Sequence, residues 1–188
     1  HVVRLMIGGK IQNYRNILRR YIRDYGENED INRAVQVLER AKRDVLKAQD
    51  KTELIGYEGM ASNAYFEVLP ILILNQKTDF PFHGRNRRPP KDAVNAMLSF
   101  AYTLIANDVA AALETVGLDP YVGFLHTLRP GRTSLALDMM EELRAYLGDR
   151  FILSLINKRQ ISVKDFLFQG DNGVVMTDKG KKTFITAW

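Results

Sequence analysis

The chain has 188 residues, of which 46% are hydrophobic and 26% are charged, so it is long and apolar enough for one domain with a full core. It contains no cysteine, which excludes disulfides, thiolate zinc sites and cysteine nucleophiles and suits a reducing compartment. The net charge of +5 favours an anionic partner, although many proteins with basic surfaces have none.

Three stretches in the first third of the chain predict helices. KIQNYRNILRRYIRDY and DINRAVQVLERAKRDVLKAQ carry apolar residues at helical spacing, and Thr52 is the expected N-cap of a third helix, ELIGYEGMASNAYFEVL. The apolar run FEVLPILIL is too short to cross a bilayer and contains Glu67 and Pro70, so we expect no membrane partner.

The middle of the chain predicts two loops around one long helix. NQKTDFPFHGRNRRPP has the polar and proline-rich composition of a loop. Pro90 is expected in the first turn of the helix KDAVNAMLSFAYTLIANDVAAALETV, which should end at Gly117. LDPYVGFLHTLRPG predicts the second loop, after which Thr133 or Ser134 should cap an acidic helix.

The C-terminal segment predicts a short β-hairpin and a closing helix. DFLFQGDNGVVMT should turn at Asn172 and Gly173, and a basic helix should begin near Thr177. The predicted fold is therefore mostly α, a bundle of several helices with a small β-hairpin near the C-terminus.

Two groups of carboxylates are candidates for chemistry. On a helix, Asp138 and Glu141 lie three residues apart on one face, and Glu142 is four residues from Asp138. Glu58 has a mostly apolar helical neighbourhood, and a carboxylate there needs a partner because an unpaired buried charge is costly. The alternatives are a solvated acidic face for the first group and a salt bridge to an arginine for Glu58.

His126 lies in the second predicted loop, just before the acidic helix. Alone, a histidine in such a position is more often a hydrogen-bonded structural residue than a ligand. Combined with two or three carboxylates, an imidazole forms an oxygen-rich site that suits Mg²⁺ or Mn²⁺ better than zinc. Sequence spacing does not decide between these readings, because Glu58 is far from His126 along the chain.

Five arginines are candidates for contacts with phosphates. The first loop contains Arg85, Arg87 and Arg88. Arg129 and Arg132 lie in LRPGR, at the end of the second loop and just before a helix N-terminus. Arginine binds phosphate with a planar fork of donors, and a helix start attracts anions. The alternatives are a solvated or carboxylate-paired loop for the first group, and helix packing or pairing with acidic residues for the second.

Three blocks, in order along the chain, resemble the CRISPR-associated spacer-acquisition integrases, the family of the first Cas protein (Cas-one). They are GYEGMASNAYF, RNRRPPKDAVNAMLSFAYTLIANDVAAAL and GLDPYVGFLHTLRPGRTSLALDMMEELR, and the opening GGKIQNYRNILRR is similar to the start of the family's helical domain. The resemblance covers nearly the whole chain. It implies that residues 1–188 are the helical C-terminal catalytic domain of a type I-like protein, without the N-terminal β-rich dimerisation domain.

The resemblance also implies a site and an activity. Glu58, His126 and Glu141 match the family's ligands for Mg²⁺ or Mn²⁺, with glutamate at 141 where many relatives carry aspartate, and Asp138 matches a further acidic position. The implied activity is that of a metal-dependent DNA endonuclease and integrase of CRISPR adaptation. The 3′-hydroxyl of a foreign DNA fragment attacks a phosphate at the border of a CRISPR repeat, while the five arginines bind nucleic acid.

The implied partners are double-stranded and branched DNA, the second Cas protein of the adaptation complex, and a second copy in the full-length protein, in the cytoplasm of a prokaryote. Without the dimerisation domain we expect poor self-association and weak integration by this chain, and a stable dimer in light scattering would contradict that. The alternative is a basic helical domain that binds nucleic acid or assembles with partners without catalysis.

Overall fold

The computed structural model describes residues 1–127 and 129–188 as a helical bundle with one small sheet. The helices are α1 (Val2–Tyr25), α2 (Glu29–Lys47), α3 (Lys51–Val68), α4 (Ala93–Thr115), α5 (Ser134–Leu143), α6 (Arg150–Asn157) and α7 (Asp178–Ala187). Antiparallel strands β1 (Phe166–Phe168) and β2 (Val174–Met176) form the sheet. The predicted fold class is confirmed.

Side-chain caps fix several helix starts, and two of the predicted starts are wrong. Asp50, rather than Thr52, caps α3 by accepting a hydrogen bond from the backbone N–H of Glu53. Asp92 caps α4 in the same way, so Pro90 lies before the helix instead of in its first turn. Both carboxylates lie at the positive end of a helix, where an anion is favoured. The last helix begins near Thr177 as predicted, and the Thr177 side chain caps it.

The acidic helix continues further than its sequence pattern suggests. Thr133 occupies the N-cap position of α5, but its side chain makes no capping hydrogen bond to the described backbone. At its other end α5 runs through a π-helical turn, Arg144–Asp149, directly into α6. π-helical turns are frequent at functional sites, because the extra residue changes which side chains face inward. Here the turn buries Ala145 and Asp149.

The hydrophobic core forms where α1 packs against α2, α3 and α5, and where α4 packs against α5 and the hairpin. Helix α4 is long and apolar enough to cross a membrane by length and composition, and the core helix of a globular bundle meets the same criteria. Met97, Leu98 and Ala101 of α4 are fully buried inside the protein. Packing inside the protein therefore accounts for the apolar character of the N-terminal half of α4.

The C-terminal hairpin closes the core beside the first loop. Phe166 pairs with Met176 and Phe168 with Val174, and residues 169–173 form the connection, which is longer than the predicted two-residue turn. Gly173 has a positive φ of 88°, and a Cβ there would meet the backbone oxygen of Pro90 at 2.5 Å. Only glycine suits both requirements.

Candidate functional site

Two carboxylates from different helices meet at one buried lysine. Lys10 of α1 is only 3% exposed, and its ammonium pairs with Oε1 of Glu58 on α3 and, at 2.8 Å, with Oε2 of Glu141 on α5. We define Lys10, Glu58 and Glu141 as the carboxylate–lysine cluster. The predicted need of Glu58 for a partner is met, but by a lysine of α1 and not by an arginine.

Lys10 lies on the buried face of α1 for a local reason. Met6, Ile7 and Tyr14 are one helical turn from it and are all buried, so the helix directs Lys10 into the core as well. A buried ammonium is costly unless it is paired with anions. Glu58 and Glu141 supply those anions, and the ring of Tyr14 lies 5.8 Å from the ammonium.

Arg144, one turn after Glu141, completes the charges around the cluster. Its guanidinium lies 3.1 Å from Oε1 of Glu141, so Glu141 is shared between two cations. Lys10 and Arg144 carry two positive charges against the two negative charges of Glu58 and Glu141. The four side chains are formally balanced, which explains how they are buried together.

The pKa values follow this arrangement. Burial acts to raise the pKa of Glu58, but the charge and hydrogen bond of Lys10, together with the Ser62 hydroxyl, lower it below its ordinary value. Burial acts to lower the pKa of Lys10, but Tyr14 and the two glutamates more than reverse this, and the net pKa is raised. Both groups are therefore charged at neutral pH.

His126 is held by a second buried carboxylate, Asp138. Its Nδ1 lies 2.5 Å from Oδ1 of Asp138, a fully buried residue of α5. Asp138 also accepts hydrogen bonds from the backbone N–H groups of Phe124 (2.5 Å), Leu125 (2.8 Å) and His126 (2.9 Å). Asp138 thereby fixes both the imidazole and the backbone that carries it. Of the two interpretations of His126 drawn from the sequence, the hydrogen-bonded structural histidine is the one that describes this contact.

The structure therefore brings the predicted ligands together as two separate pairs. Glu58 and Glu141 meet on Lys10, while His126 meets Asp138, one helical turn before Glu141. Among residues 1–127 and 129–188, no three His, Asp or Glu side chains are close enough to hold an ion. The assignment of Glu58, His126 and Glu141 as metal ligands stays a prediction. Glu142 lies apart, with its carboxyl group packed against Gly9 of α1.

A cationic pocket of about 310 Å³ adjoins the carboxylate–lysine cluster. Its basic lining comprises Lys10, Arg85, Arg87 and Arg144. The guanidinium groups of Arg85 and Arg144 lie over the ring of Tyr102, at 5.4 and 4.9 Å from its centre. The buried Nε atoms of Arg85 and Arg144 have no hydrogen-bond acceptor in the described part of the chain. A pocket with this basic lining suits an anion such as a phosphate.

The predicted arginine loop is anchored on α4 by one of its arginines. Arg85 donates to Oδ1 of Asn95 at 2.7 Å and to the hydroxyl of Ser99 at 3.2 Å. Of the five predicted DNA-binding arginines, Arg85 and Arg87 line the pocket. Arg88 and Arg129 are exposed and Arg132 is partly buried. The roles of all five in binding nucleic acid stay predictions.

Sequence reasoning missed Lys10, Tyr102, Arg144 and Asp149. Asp149 is fully buried and accepts a hydrogen bond of 2.6 Å from the hydroxyl of Tyr102, which lines the pocket. Burial raises its pKa to about 6, although the hydroxyls of Tyr102 and Tyr65 and the nearby arginines limit the rise. One sequence signal could have found Lys10. A charged residue on an apolar helical face needs a partner, and this argument, which identified Glu58, applies equally to Lys10.

Comparison with known proteins gives one consistent family. The family described as CRISPR associated protein Cas1 matches residues 1–188. The chain is 48% identical to a CRISPR-associated endonuclease Cas1 of Chlorobaculum tepidum, covering all of this chain and 55% of that protein. It is 44% identical to a CRISPR-associated endonuclease Cas1 of Leptospira interrogans, of which it covers 74%. The chain thus spans about half the length of several of the curated relatives that it matches.

Solved structures agree on the fold. A Cas1 protein from Thermotoga maritima superposes with a TM-score of 0.82 at 28% identity, covering all of this chain and 56% of that one. A casposase bound to integration product has a TM-score of 0.82 at 24% identity, covering 99% of this chain and 53% of that one. A chain of a Cas6-RT-Cas1–Cas2 complex has a TM-score of 0.83 at 24% identity, covering 98% of this chain and 20% of that one. These two distant matches show the fold alone.

Proposed function

Because the chain belongs to the Cas1 family, which confirms the resemblance seen in its sequence, we propose that it is the catalytic part of a metal-dependent DNA integrase and endonuclease of CRISPR adaptation. The observation that carries this proposal is the meeting of Glu58 and Glu141, from distant parts of the sequence, beside a pocket lined by arginines. Such a site places cation ligands next to a phosphate-binding surface, as phosphodiester chemistry requires.

The residues of the cluster fit a hard divalent ion. Carboxylate oxygens are the ligands that Mg²⁺ and Mn²⁺ prefer, and Oε2 of Glu141 is buried without a hydrogen-bond donor in the described part of the chain. Its 2.8 Å contact with Lys10 is an ion pair by distance but lacks hydrogen-bond alignment. Glu58 and Glu141 would hold the ion, and His126 would join them as the family resemblance implies. When bound, the ion supplies charge neutralisation and acidifies the attacking hydroxyl.

The protein's own residues would position the DNA. In the proposed transesterification a 3′-hydroxyl attacks a phosphodiester in line with the leaving oxygen, and negative charge builds up on the non-bridging oxygens. Arg85, Arg87 and Arg144 surround the adjoining pocket and would bind those oxygens or the neighbouring phosphates. Tyr102 holds Arg85 and Arg144 in place by cation–π contacts, and thereby preorganises the pocket.

The proposed partners are double-stranded and branched DNA, a Cas2 protein, and a second copy in the full-length protein. The basic net charge and the arginine-lined pocket support DNA, and chains in two related complexes named Cas6-RT-Cas1–Cas2 share this fold. We further propose that the protein acts in the prokaryotic cytoplasm, where foreign DNA and the CRISPR array are both accessible.

The test is Mn²⁺-dependent cleavage and strand joining of a branched DNA by the chain and its variants. Glu58→Gln and His126→Ala should each lower the rate at least about 100-fold, since each removes a proposed ligand. Glu67→Gln, an exposed change on the same helix, should leave the rate unaltered. If the chain cleaves the DNA and Glu58→Gln and His126→Ala match it in rate, the assignment of these ligands is wrong. If the chain binds DNA without any cleavage, a non-catalytic nucleic-acid-binding domain is the better description.

A salt titration tests the DNA contacts separately from the chemistry. Affinity for duplex DNA should fall steeply between 50 and 200 mM salt, because bound phosphates release condensed counterions (about 0.9 per contact). Arg87→Ala, a change in the pocket lining, should reduce the slope of log affinity against log salt by about one. An unchanged slope for Arg87→Ala would remove this arginine from the proposed DNA-binding surface.

A further inference from the structure

The carboxylate–lysine cluster already contains a positive charge where the proposed function requires a divalent ion. The Lys10 ammonium contacts Glu58 and Glu141 at once, and these are the two carboxylates proposed to hold the ion. We propose that Lys10 is a resident counter-cation that competes with the divalent ion for Glu58 and Glu141, and so sets how tightly the ion binds. This inference rests on the proposed metal site.

The contacts of the individual carboxylate oxygens indicate that the ion and the Lys10 ammonium compete for the same position and do not bind there together. Oε1 of Glu141 is taken by Arg144 at 3.1 Å, so Oε2 is the oxygen left for an ion, and Oε2 faces Lys10 at 2.8 Å. Oε1 of Glu58 accepts from both Lys10 and the Ser62 hydroxyl. An ion that reaches the facing oxygens of both glutamates has to take the position of the ammonium.

The balance of charges also indicates that the ion displaces the Lys10 ammonium. The two glutamates are neutralised by Lys10 and Arg144, so a divalent ion added to all four side chains leaves two surplus positive charges in a poorly solvated position. Moving the ammonium away removes one of them, and a DNA phosphate in the adjoining pocket offsets the other. Lys10 also lines that pocket, so its flexible side chain can turn from the carboxylates towards a bound phosphate.

Lys10 has a second role before the ion arrives. Without it, Glu58 and Glu141 would face each other as like charges across α3 and α5, with only Arg144 to offset them. The ammonium lies between the two carboxylates and offsets their repulsion, so the site is assembled in advance. The same contact must be broken when the ion binds, which lowers the apparent affinity.

Calorimetric titration with Mn²⁺ alone tests the competition. Lys10→Met removes the charge but keeps most of the chain length, and it should bind Mn²⁺ about ten-fold more tightly or better. Its melting temperature in EDTA should fall by several degrees and recover in Mn²⁺, since the ion replaces the lost cation. Lys42→Met is the matched control, because Lys42 also contacts α1 but donates to Gln12 and not to a carboxylate. Equal or weaker Mn²⁺ binding by Lys10→Met overturns the inference.

A measurement on the unmodified chain covers the case in which Lys10→Met does not fold. The buried ammonium of Lys10 should give a protected ¹⁵N–¹H lysine signal, assigned by its absence in Lys10→Arg. Addition of Mg²⁺ should abolish or shift this signal, and an unchanged signal at saturating Mg²⁺ overturns the inference. Glu58→Gln separates the two proposals: if Mn²⁺ binds equally well without this carboxylate, the proposed metal site fails. If binding needs Glu58 but ignores Lys10, only the competition fails.

Discussion

Asp138→Asn should loosen the segment that carries His126 while leaving the shape of the side chain intact. Asp138 is fully buried, and its two oxygens accept four hydrogen bonds, three of them from consecutive backbone N–H groups. Asparagine keeps one oxygen and turns an amide NH₂ towards the donors that the other oxygen served. Donors then face donors in a site closed to water.

The expected cost can be worked from these contacts. Each oxygen of Asp138 serves two donors, so the substitution removes two charge-assisted hydrogen bonds. At roughly 1.5–3 kcal/mol for each, the free energy of unfolding should fall by about 3–6 kcal/mol. That is a large share of the typical stability of a domain, about 5–15 kcal/mol. Partial relaxation of residues 123–126 towards solvent should put the measured value near the lower end.

Urea unfolding and amide hydrogen exchange should be measured together. Asp138→Asn should lower the unfolding free energy, and the amides of Phe124, Leu125 and His126 should exchange much faster than in the unmodified chain. Asp108→Asn, an exposed change on α4, is the control and should alter neither. A loss below about 1 kcal/mol, with exchange at these three amides unchanged, would refute the reasoning that Asp138 holds this segment.

Two further predictions concern the buried Asp149 and two of the glycines. Asp149 has its pKa raised from 3.8 to about 6, so its contribution to stability is full below pH 4 and is lost as pH rises through 6. The stability of the unmodified chain minus that of Asp149→Asn should therefore grow by about 2.5 kcal/mol from pH 7 to pH 4 in urea titrations. A constant difference contradicts the burial argument. Gly123→Ala should be destabilising in thermal melts, because its Cβ would lie 2.7 Å from the Ser134 carbonyl carbon. Gly56→Ala, in open space on α3, should stabilise by up to about 1 kcal/mol, and equal effects of the two changes would contradict the steric reasoning.

The parts of this fold that follow from local chemistry were predictable from the sequence. Apolar residues at helical spacing defined α1 and α2, and Thr177 marked the start of α7, because amphipathic faces and caps depend on neighbours within one or two turns. The predicted cap Thr52 and the predicted first-turn position of Pro90 were wrong for a related reason. An aspartate was available at a nearby position in each case, and its carboxylate also gains from the helix dipole.

The site was less predictable because its contacts connect distant segments. The apolar surroundings of Glu58 showed that it needs a partner, but the identity of that partner depends on how α1 packs against α3. The same packing decides that Lys10 faces inward between two glutamates. Arg144 and Tyr102 meet only because α4 and the π-helical turn are adjacent in space. No pattern of spacing within one helix contains that information.

Helix α5 links the two halves of the predicted ligand set. Glu141 on this helix forms an ion pair with Lys10, which also pairs with Glu58. Asp138, one turn earlier, is hydrogen-bonded to the imidazole of His126. The carboxylates are fixed by packing between helices, but His126 is attached to the core through hydrogen bonds to a single side chain. Because packed helices move less readily than a loop, any rearrangement that brings His126 to the ion should begin at Asp138. Asp138→Asn should then raise the exchange of residues 124–126 without altering the ion pair of Glu141 with Lys10, and loss of both together would show that the two pairs are one unit.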